Sequence, residues 1–405
     1  MSYLGINRSV LALSVARMAD AIGNSILFII IPLYVAKLPK EYFHFPISVL
    51  VGVLIAIYGF VSALLQPVMG ALSDKLGKRK MLIQAGLGLL GVSTLTYIFA
   101  QHFFDLLILR SIQGVAVAIT IPASMALMAE ITKKETRGGA MGIYSTLRII
   151  GFTIGPLVGG FLKDRFGFNA AFYAGFAFII LAMFLIQIWI KDAKIKKTKE
   201  EIKKKVKIFE RKLWGPGILT AASATFMMAA SFSILTALEN EFNSRLNINA
   251  FQFGIAFSML MVTRLLFQVP LGRYSDNIGR KPLIIAGLIF MCPATILLGV
   301  AGSLTQLIIY RLVQGIAAAG IAAPAFAVAA DLSHSGGEGR QMSIITMGFG
   351  LGIATGPLVA GFLAVVFFEL PFIALGILSI ASAWVVYRYM PETVVSKKAL
   401  FNSKS

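Results

Sequence analysis

Long apolar runs separated by short polar gaps follow one another along all 405 residues. A helix needs about 20 apolar residues to cross the hydrocarbon of a bilayer. On that measure the chain is predicted to contain twelve spanning helices. The first six cover about 10–35, 47–70, 81–100, 105–130, 140–162 and 169–190. The second six cover about 214–238, 250–271, 282–302, 304–331, 342–364 and 368–390. Lipid offers the backbone no hydrogen-bond partners, so helices are the expected form for these runs. The first run, from near Val10 to about Tyr34, is longer than a signal-peptide core and lacks a clear small-residue cleavage site, so it is kept as a span.

Composition agrees with this reading. Hydrophobic residues make up 58% of the chain and charged residues 14%, and mean hydropathy is +0.83. A soluble core could not bury that much apolar surface. The net charge of +19 would suit a nucleic-acid binder, but its placement argues against one. Lys and Arg gather in the gaps between runs, chiefly Lys75 to Lys80, Lys133 to Arg137, Lys191 to Lys212, and Arg273 to Lys281. The alternate gaps hold few, such as Lys37, Lys163 and Arg245. Positive charge stays on the cytoplasmic side, so the chain is expected to cross the cell membrane many times with both termini in the cytoplasm. The basic segment 191–212 is expected to divide an N-terminal bundle, 1–190, from a C-terminal bundle, 213–405. It is either an amphipathic surface helix or a flexible charged linker.

The halves repeat one another. Gly70-Ala-Leu-Ser-Asp74-Lys-Leu-Gly77-Lys78-Arg79-Lys80 returns as Gly272-Arg-Tyr-Ser-Asp276-Asn-Ile-Gly279-Arg280-Lys281. Arg110-x-x-Gln113-Gly114 returns as Arg311-x-x-Gln314-Gly315, and Gly155-Pro156-Leu-Val as Gly356-Pro357-Leu-Val. Three signatures in one register describe two fused copies of a membrane unit, the ground plan of a two-domain carrier.

These residues carry a resemblance. The Gly70–Lys80 loop and its second copy resemble motif A of the major facilitator superfamily, and Arg110-x-x-Gln113-Gly114 its motif B. Gly151-x-x-x-Gly155-Pro156-x-x-Gly159-Gly160 resembles its motif C, which is associated with antiporters. Asp20-Ala-Ile-Gly-Asn24 with Pro32 is similar to the first-helix motif of drug:proton antiporters. The resemblance covers essentially the whole chain. It implies an all-α membrane protein of twelve helices in two pseudo-symmetric six-helix bundles around a central cavity. It also implies that Asp74 faces the start of helix eleven, near Gln341, and Asp276 the start of helix five, near Ala140. With Lys78, Arg79, Glu130 and Arg137, and with Asp331 and Arg340 in the second half, these acids are expected to form a latch on the cytosolic side. The competing reading makes the basic residues purely topogenic. The small-residue faces of helices five and eleven, Gly151, Gly155, Pro156 and Gly159 with Gly352, Gly356 and Pro357, are expected to pack closely and to bend.

Charge at mid-membrane depth is costly, about 2.5–3.5 kcal/mol at a helix centre, and marks function. Helix one offers Arg17, Asp20 and Asn24 on one face. Asp20 is the carboxylate placed near the midplane, so it is the candidate proton carrier, with Arg17, Arg110 and Arg148 as partners. A static pair with Arg17 or Arg148 is the alternative. Asn24, Gln113, Tyr144, Arg264, Gln268, Arg311 and Gln314 are candidate cavity residues. The five arginines against one aspartate would suit an anionic substrate if all of them faced the cavity.

No Walker loop is present, so ATP is not expected to drive transport directly. Three His and a lone Cys292 give no credible metal site. The expected protein is therefore not an enzyme and needs no cofactor. It is a monomeric, proton-coupled exporter of small hydrophobic or amphipathic compounds, with the proton gradient as its energy source. Carriage of an organic anion, sugar or metabolite is the closest alternative. Lipid flipping, or a receptor or channel without alternating access, is less expected.

Overall fold

The computed structural model describes residues 7–39, 45–132, 136–190, 214–332 and 338–394. The side chains of 137, 138, 338–341 and 343 are outside that description, as are residues 191–213, which include the segment 191–212 expected to divide the halves. The described residues form thirteen α-helices. They are α1 (Arg8–Lys37), α2 (Ile47–Leu76), α3 (Arg79–Thr96), α4 (Phe103–Ile131), α5 (Arg137–Phe166), α6 (Phe168–Trp189) and α7 (Pro216–Ala237). There follow α8 (Glu239–Leu246), α9 (Ala250–Ile278), α10 (Arg280–Gly299), α11 (Leu304–Asp331), α12 (Glu338–Leu363) and α13 (Leu370–Tyr389). Twelve of them are long and apolar enough to cross a membrane; α8 is not. The chain is a multi-pass, all-α membrane protein, as its apolar pattern predicts.

Two differences from the sequence reading are instructive. The segment expected as a loop from Gly70 is helical as far as Leu76, and its second copy is helical as far as Ile278. The turns themselves are Gly77 (φ 65°) with Lys78, and Gly279 (φ 110°); at both glycines the positive φ favours a residue without Cβ. Gly70 and Gly272 instead sit inside helices, where an added Cβ would make ordinary contact with Pro122 and Ala323. The other difference is α8, a short polar helix with Glu239 and Glu241 in its first turn and Arg245 in its last.

The chain separates into two compact units. The first comprises Met1–His44, Ile57–Ile208 and Asn249–Gly254; the second comprises Phe45–Ala56, Phe209–Ile248 and Ile255–Ser405. In the first unit, α5 lies against α1 through glycine. A Cβ at Gly151 would stand 2.5 Å from the Met18 carbonyl oxygen, and one at Gly155 2.7 Å from that of Ile22. The Ser25 hydroxyl donates to the Gly151 carbonyl at 3.3 Å. In the second unit, α12 lies against α7 in the same way. A Cβ at Gly352 would stand 2.3 Å from the Phe226 carbonyl oxygen, and one at Gly356 2.5 Å from that of Ala230. The Ser233 hydroxyl donates to the Gly352 carbonyl at 3.5 Å. Close backbone approach between small residues is how membrane helices gain dispersion contacts when lipid supplies no hydrophobic drive. Both α5 and α12 run unbroken through Pro156 and Pro357.

The first turns of α2 and α9 are packed by the same device. In the second unit, Gly52 and Gly361 bring the start of α2 against α12, at the Pro357 and Ser48 carbonyls. In the first unit, Gly254 and Gly160 bring the start of α9 against α5, at the Pro156 and Ala250 carbonyls.

Candidate functional site

In the first unit, α1 carries Arg17, Asp20 and Asn24 on its inward face. Asp20 is 3% exposed and accepts a charge-assisted hydrogen bond from Arg17 Nη1, one of the two partners the sequence left open. Arg148, from α5, lies within Coulombic reach of both members of the pair, with its guanidinium 5.8 Å from the Phe152 ring centroid. Tyr144, one turn away on α5, is buried, and its hydroxyl has no hydrogen-bond partner among the described residues.

Asn24 opens a second set of contacts. Its Nδ2 donates to the Tyr58 hydroxyl at 3.0 Å, and the Arg110 guanidinium lies 5.3 Å from the Tyr58 ring. Arg110 Nη1 donates to Gln113 Oε1 at 3.2 Å and Nη2 to the Leu27 carbonyl at 3.5 Å. The Tyr97 hydroxyl also donates to Gln113 Oε1, while Gln113 Nε2 donates to Thr94 Oγ1. Arg110 and Gln113 thus cross-link α1, α3 and α4 deep within the unit. Tyr58, Thr94 and Tyr97 escaped the sequence reading, because nothing in the spacing along α2 or α3 shows which neighbour they meet.

The second unit repeats the knot but not the charge cluster. Arg311 is fully buried. It donates to Gln314 Oε1 at 2.6 Å and to the carbonyls of Phe232 and Phe257, with both those rings about it. Gln314 Nε2 donates to the Ser231 carbonyl and to Thr295 Oγ1. Arg264, from α9, is 6% exposed, and its guanidinium lies 5.9 Å from the Phe349 ring. Gln268 stands one turn further along α9, with Oε1 buried and lacking a hydrogen-bond partner among the described residues.

At the basic end of each unit, one arginine gathers two acids. Arg79 Nη2 contacts Asp74 Oδ1 at 3.3 Å, its Nη1 contacts Glu130 Oε1 at 2.7 Å, and Nη1 also donates to the Ala126 carbonyl. Arg280 contacts Asp276 at 2.5 Å and Asp331 at 3.3 Å. Of the acids expected in the latch, Asp74 and Glu130 are thus engaged by Arg79, and Asp276 and Asp331 by Arg280. The side chains of Arg137, Arg340 and Gln341 lie outside the described residues, and Ala140 is buried within the first unit. The second unit adds a cap. Glu392 accepts from the backbone N–H of Arg280 and Lys281, at 2.9 and 3.1 Å, across the start of α10, and the Thr393 hydroxyl donates to Asp331. A carboxylate there also meets the positive end of the helix dipole.

The sequence reading also missed Glu239, a fully buried carboxylate at the start of α8. Beside it, burial pushes the Glu241 carboxyl up from the ordinary range. Further along, a hydrogen bond from Arg245 holds Glu369 below that range. Among the described residues, no group of three or more His, Cys, Asp or Glu could hold a metal ion.

Comparison with known proteins agrees with this geometry. The chain is 29% identical over 334 residues to multidrug resistance protein MdtG of Escherichia fergusonii, covering 81% of each chain. It is 26% identical over 314 residues to the multi-drug resistance efflux pump PmrA of Streptococcus pneumoniae, covering 76% of this chain and 77% of that one. Its fold matches a bacterial homologue of the human lysosomal transporter Spinster, in the inward-facing and occupied conformation. The TM-score is 0.78 at 15% identity, over 96% of this chain and 98% of that one. The Major Facilitator Superfamily model matches residues 13–243 and 221–404. With twelve candidate spans, a duplicated motif framework and a family match across nearly its whole length, the chain belongs to the Major Facilitator Superfamily and is a transporter rather than an enzyme.

Proposed function

We propose that the chain exports small hydrophobic or amphipathic compounds in exchange for protons, by alternating access. The observation that carries this reading is the buried Arg17–Asp20 pair beside Arg148, midway along spanning helices of the first unit. An ionised carboxylate at this depth is tolerable while Arg17 holds it. Protonation removes the charge of Asp20 and with it most of the attraction to Arg17. The guanidinium is then left as a net positive group that favours water or an anionic contact. Proton uptake and rearrangement of the site are thereby linked, which is what a coupling residue must supply. The multidrug resistance names of the relatives support the substrate class. The proton gradient would be the energy source, with no cofactor.

Asp20→Asn keeps the size and part of the hydrogen bonding but cannot titrate. In proteoliposomes it is expected to abolish pH-gradient-driven transport while leaving substrate exchange, or at least binding, partly intact. Full gradient-driven transport by Asp20→Asn would return Asp20 to the role of a structural ion pair.

A further inference from the structure

The two units can be aligned residue by residue through their matching glycine contacts. Gly151 meets Met18 and Ala21 where Gly352 meets Phe226 and Ala229. Gly114 meets Tyr58 and Val61 where Gly315 meets Leu260 and Thr263. Residues that hold the fold agree between the copies: Arg110 with Arg311, Gln113 with Gln314, Thr94 with Thr295, and Ser25 with Ser233. Residues around the charge cluster do not. Arg17, Asp20 and Asn24 correspond to Thr225, Met228 and Phe232. Arg148 corresponds to Phe349, and Ser62 to Arg264. The charge pattern of the first unit is therefore replaced in the second by uncharged, buried or half-buried side chains and one different cation, Arg264, and duplicated copies diverge where their tasks differ.

The glutamines one turn beyond Ser62 and Arg264 also differ in their contacts. In the first unit Gln66 Nε2 donates to Ser62 Oγ at 3.2 Å. In the second unit an arginine stands in the place of that serine, and Gln268, the counterpart of Gln66, has its acceptor Oε1 buried without a hydrogen-bond partner among the described residues. Arg264 and Gln268, spaced i, i+4, share one face of α9. The Arg264 guanidinium lies by the half-buried Phe349 ring. One small surface thus offers a planar cation for an oxyanion, a ring for stacking, and an acceptor for an N–H or O–H.

We infer that the second unit recognises substrate through Arg264, Phe349 and Gln268, and that the substrate is an aromatic compound bearing an anionic group and a hydrogen-bond donor. This rests on the reading of the chain as a carrier and names its substrate class. The amphipathic cargo is anionic, and Asp20 and Arg264 divide coupling and recognition between the units.

The test uses the full chain in lipid nanodiscs, with empty nanodiscs to subtract partitioning. Three near-isosteric probes, 6-hydroxy-2-naphthoate, its carboxamide and its carboxamidine, are titrated calorimetrically, together with 2-naphthoate lacking the donor. The wild type is expected to bind the hydroxy-carboxylate at least about tenfold tighter than the amidine, a difference of about 1.4 kcal/mol. Arg264→Gln should lose that preference, Arg264→Lys should keep part of it, and Phe349→Leu should weaken all three hydroxy probes. Gln268→Leu should erase the advantage of the hydroxy-carboxylate over 2-naphthoate. No binding to the wild type, a preference for the amidine, or an unchanged preference in monodisperse Arg264→Gln would each overturn the inference. Those results leave the carrier reading standing if Asp20-dependent, pH-gradient-driven flux of another compound is observed. Absence of any such flux would count against both.

Discussion

Replacing Gly155 by alanine adds one carbon atom where the structure has no room for it. The new Cβ would lie 1.9 Å from Ser25 Oγ, 2.7 Å from the Ile22 carbonyl oxygen and 3.1 Å from the Ile26 nitrogen. The serine can rotate away, at the cost of its hydrogen bond to Gly151. The Ile22 carbonyl cannot, because it belongs to the backbone of α1. It falls about 0.7 Å short of the 3.4 Å at which ordinary contact begins, so α1 and α5 must separate by roughly that amount where they cross. Overpacking of this kind costs about 1–3 kcal/mol, a factor of roughly 5–150 in a folding equilibrium. Gly142, on the same helix, has nothing within 4 Å of its added Cβ. Gly142→Ala should be neutral or gain up to about 1 kcal/mol of helix propensity. Thermal unfolding of the two purified variants, alongside counterflow in proteoliposomes, separates the effects. Gly155→Ala is expected to melt earlier and transport more slowly, and Gly142→Ala to do neither. Equal behaviour of Gly155→Ala and the wild type in both assays would refute the claim that glycine sets the α1–α5 distance.

Arg79→Gln removes two acid contacts and a carbonyl contact from a guanidinium only 12% exposed, so it should cost about 1.5–3 kcal/mol of stability. Asp74→Asn, at a side chain 52% exposed, should cost less than about 1 kcal/mol; chemical denaturation gives the ranking, and equal costs would count against a central arginine. Gly279→Ala combines a positive φ with a Cβ only 2.4 Å from Glu392 Oε2 and should destabilise by about 1–3 kcal/mol, read as a fall in melting temperature. Because Arg245 depresses the Glu369 carboxyl, their pair adds stability above the ordinary glutamate range, near about 4.3, and loses it as pH falls through the depressed value. Arg245→Gln should therefore lower the melting temperature at neutral pH by the equivalent of at most about 1 kcal/mol, and the difference should shrink in strongly acidic buffer.

The twelve spans were legible as the lengths of apolar runs and the duplication as motifs that recur between the halves, while the i, i+3 spacing of Arg17 and Asp20 within one helix allowed their pair, with Arg148 as the other partner left open. Helix ends were less so. Hydropathy reports where lipid begins, and α2 continues as a helix through Leu76 after its sequence has turned polar. The short polar α8 carries no apolar run to announce it. The contacts of Tyr58 with Asn24 and Arg110 depend on how α1, α2 and α4 pack, which no single stretch encodes. The bonding of Asp74 and Glu130 to Arg79 was hidden for another reason: the sequence offers several cations near each acid, and spacing does not show that Arg79 meets both.

The cap on α10 bears on how the chain should be cut or extended in the laboratory. Glu392 follows α13 by only a few residues, yet its carboxylate serves the first backbone groups of a helix more than a hundred residues earlier in the chain. Shortening the chain at Tyr389, where the last span finishes, would strip that cap from α10 and the Thr393 contact from Asp331. Shortening at Val394 would keep both, so an affinity tag or fluorescent reporter belongs beyond Val394, after the residues that finish a helix formed much earlier in the chain.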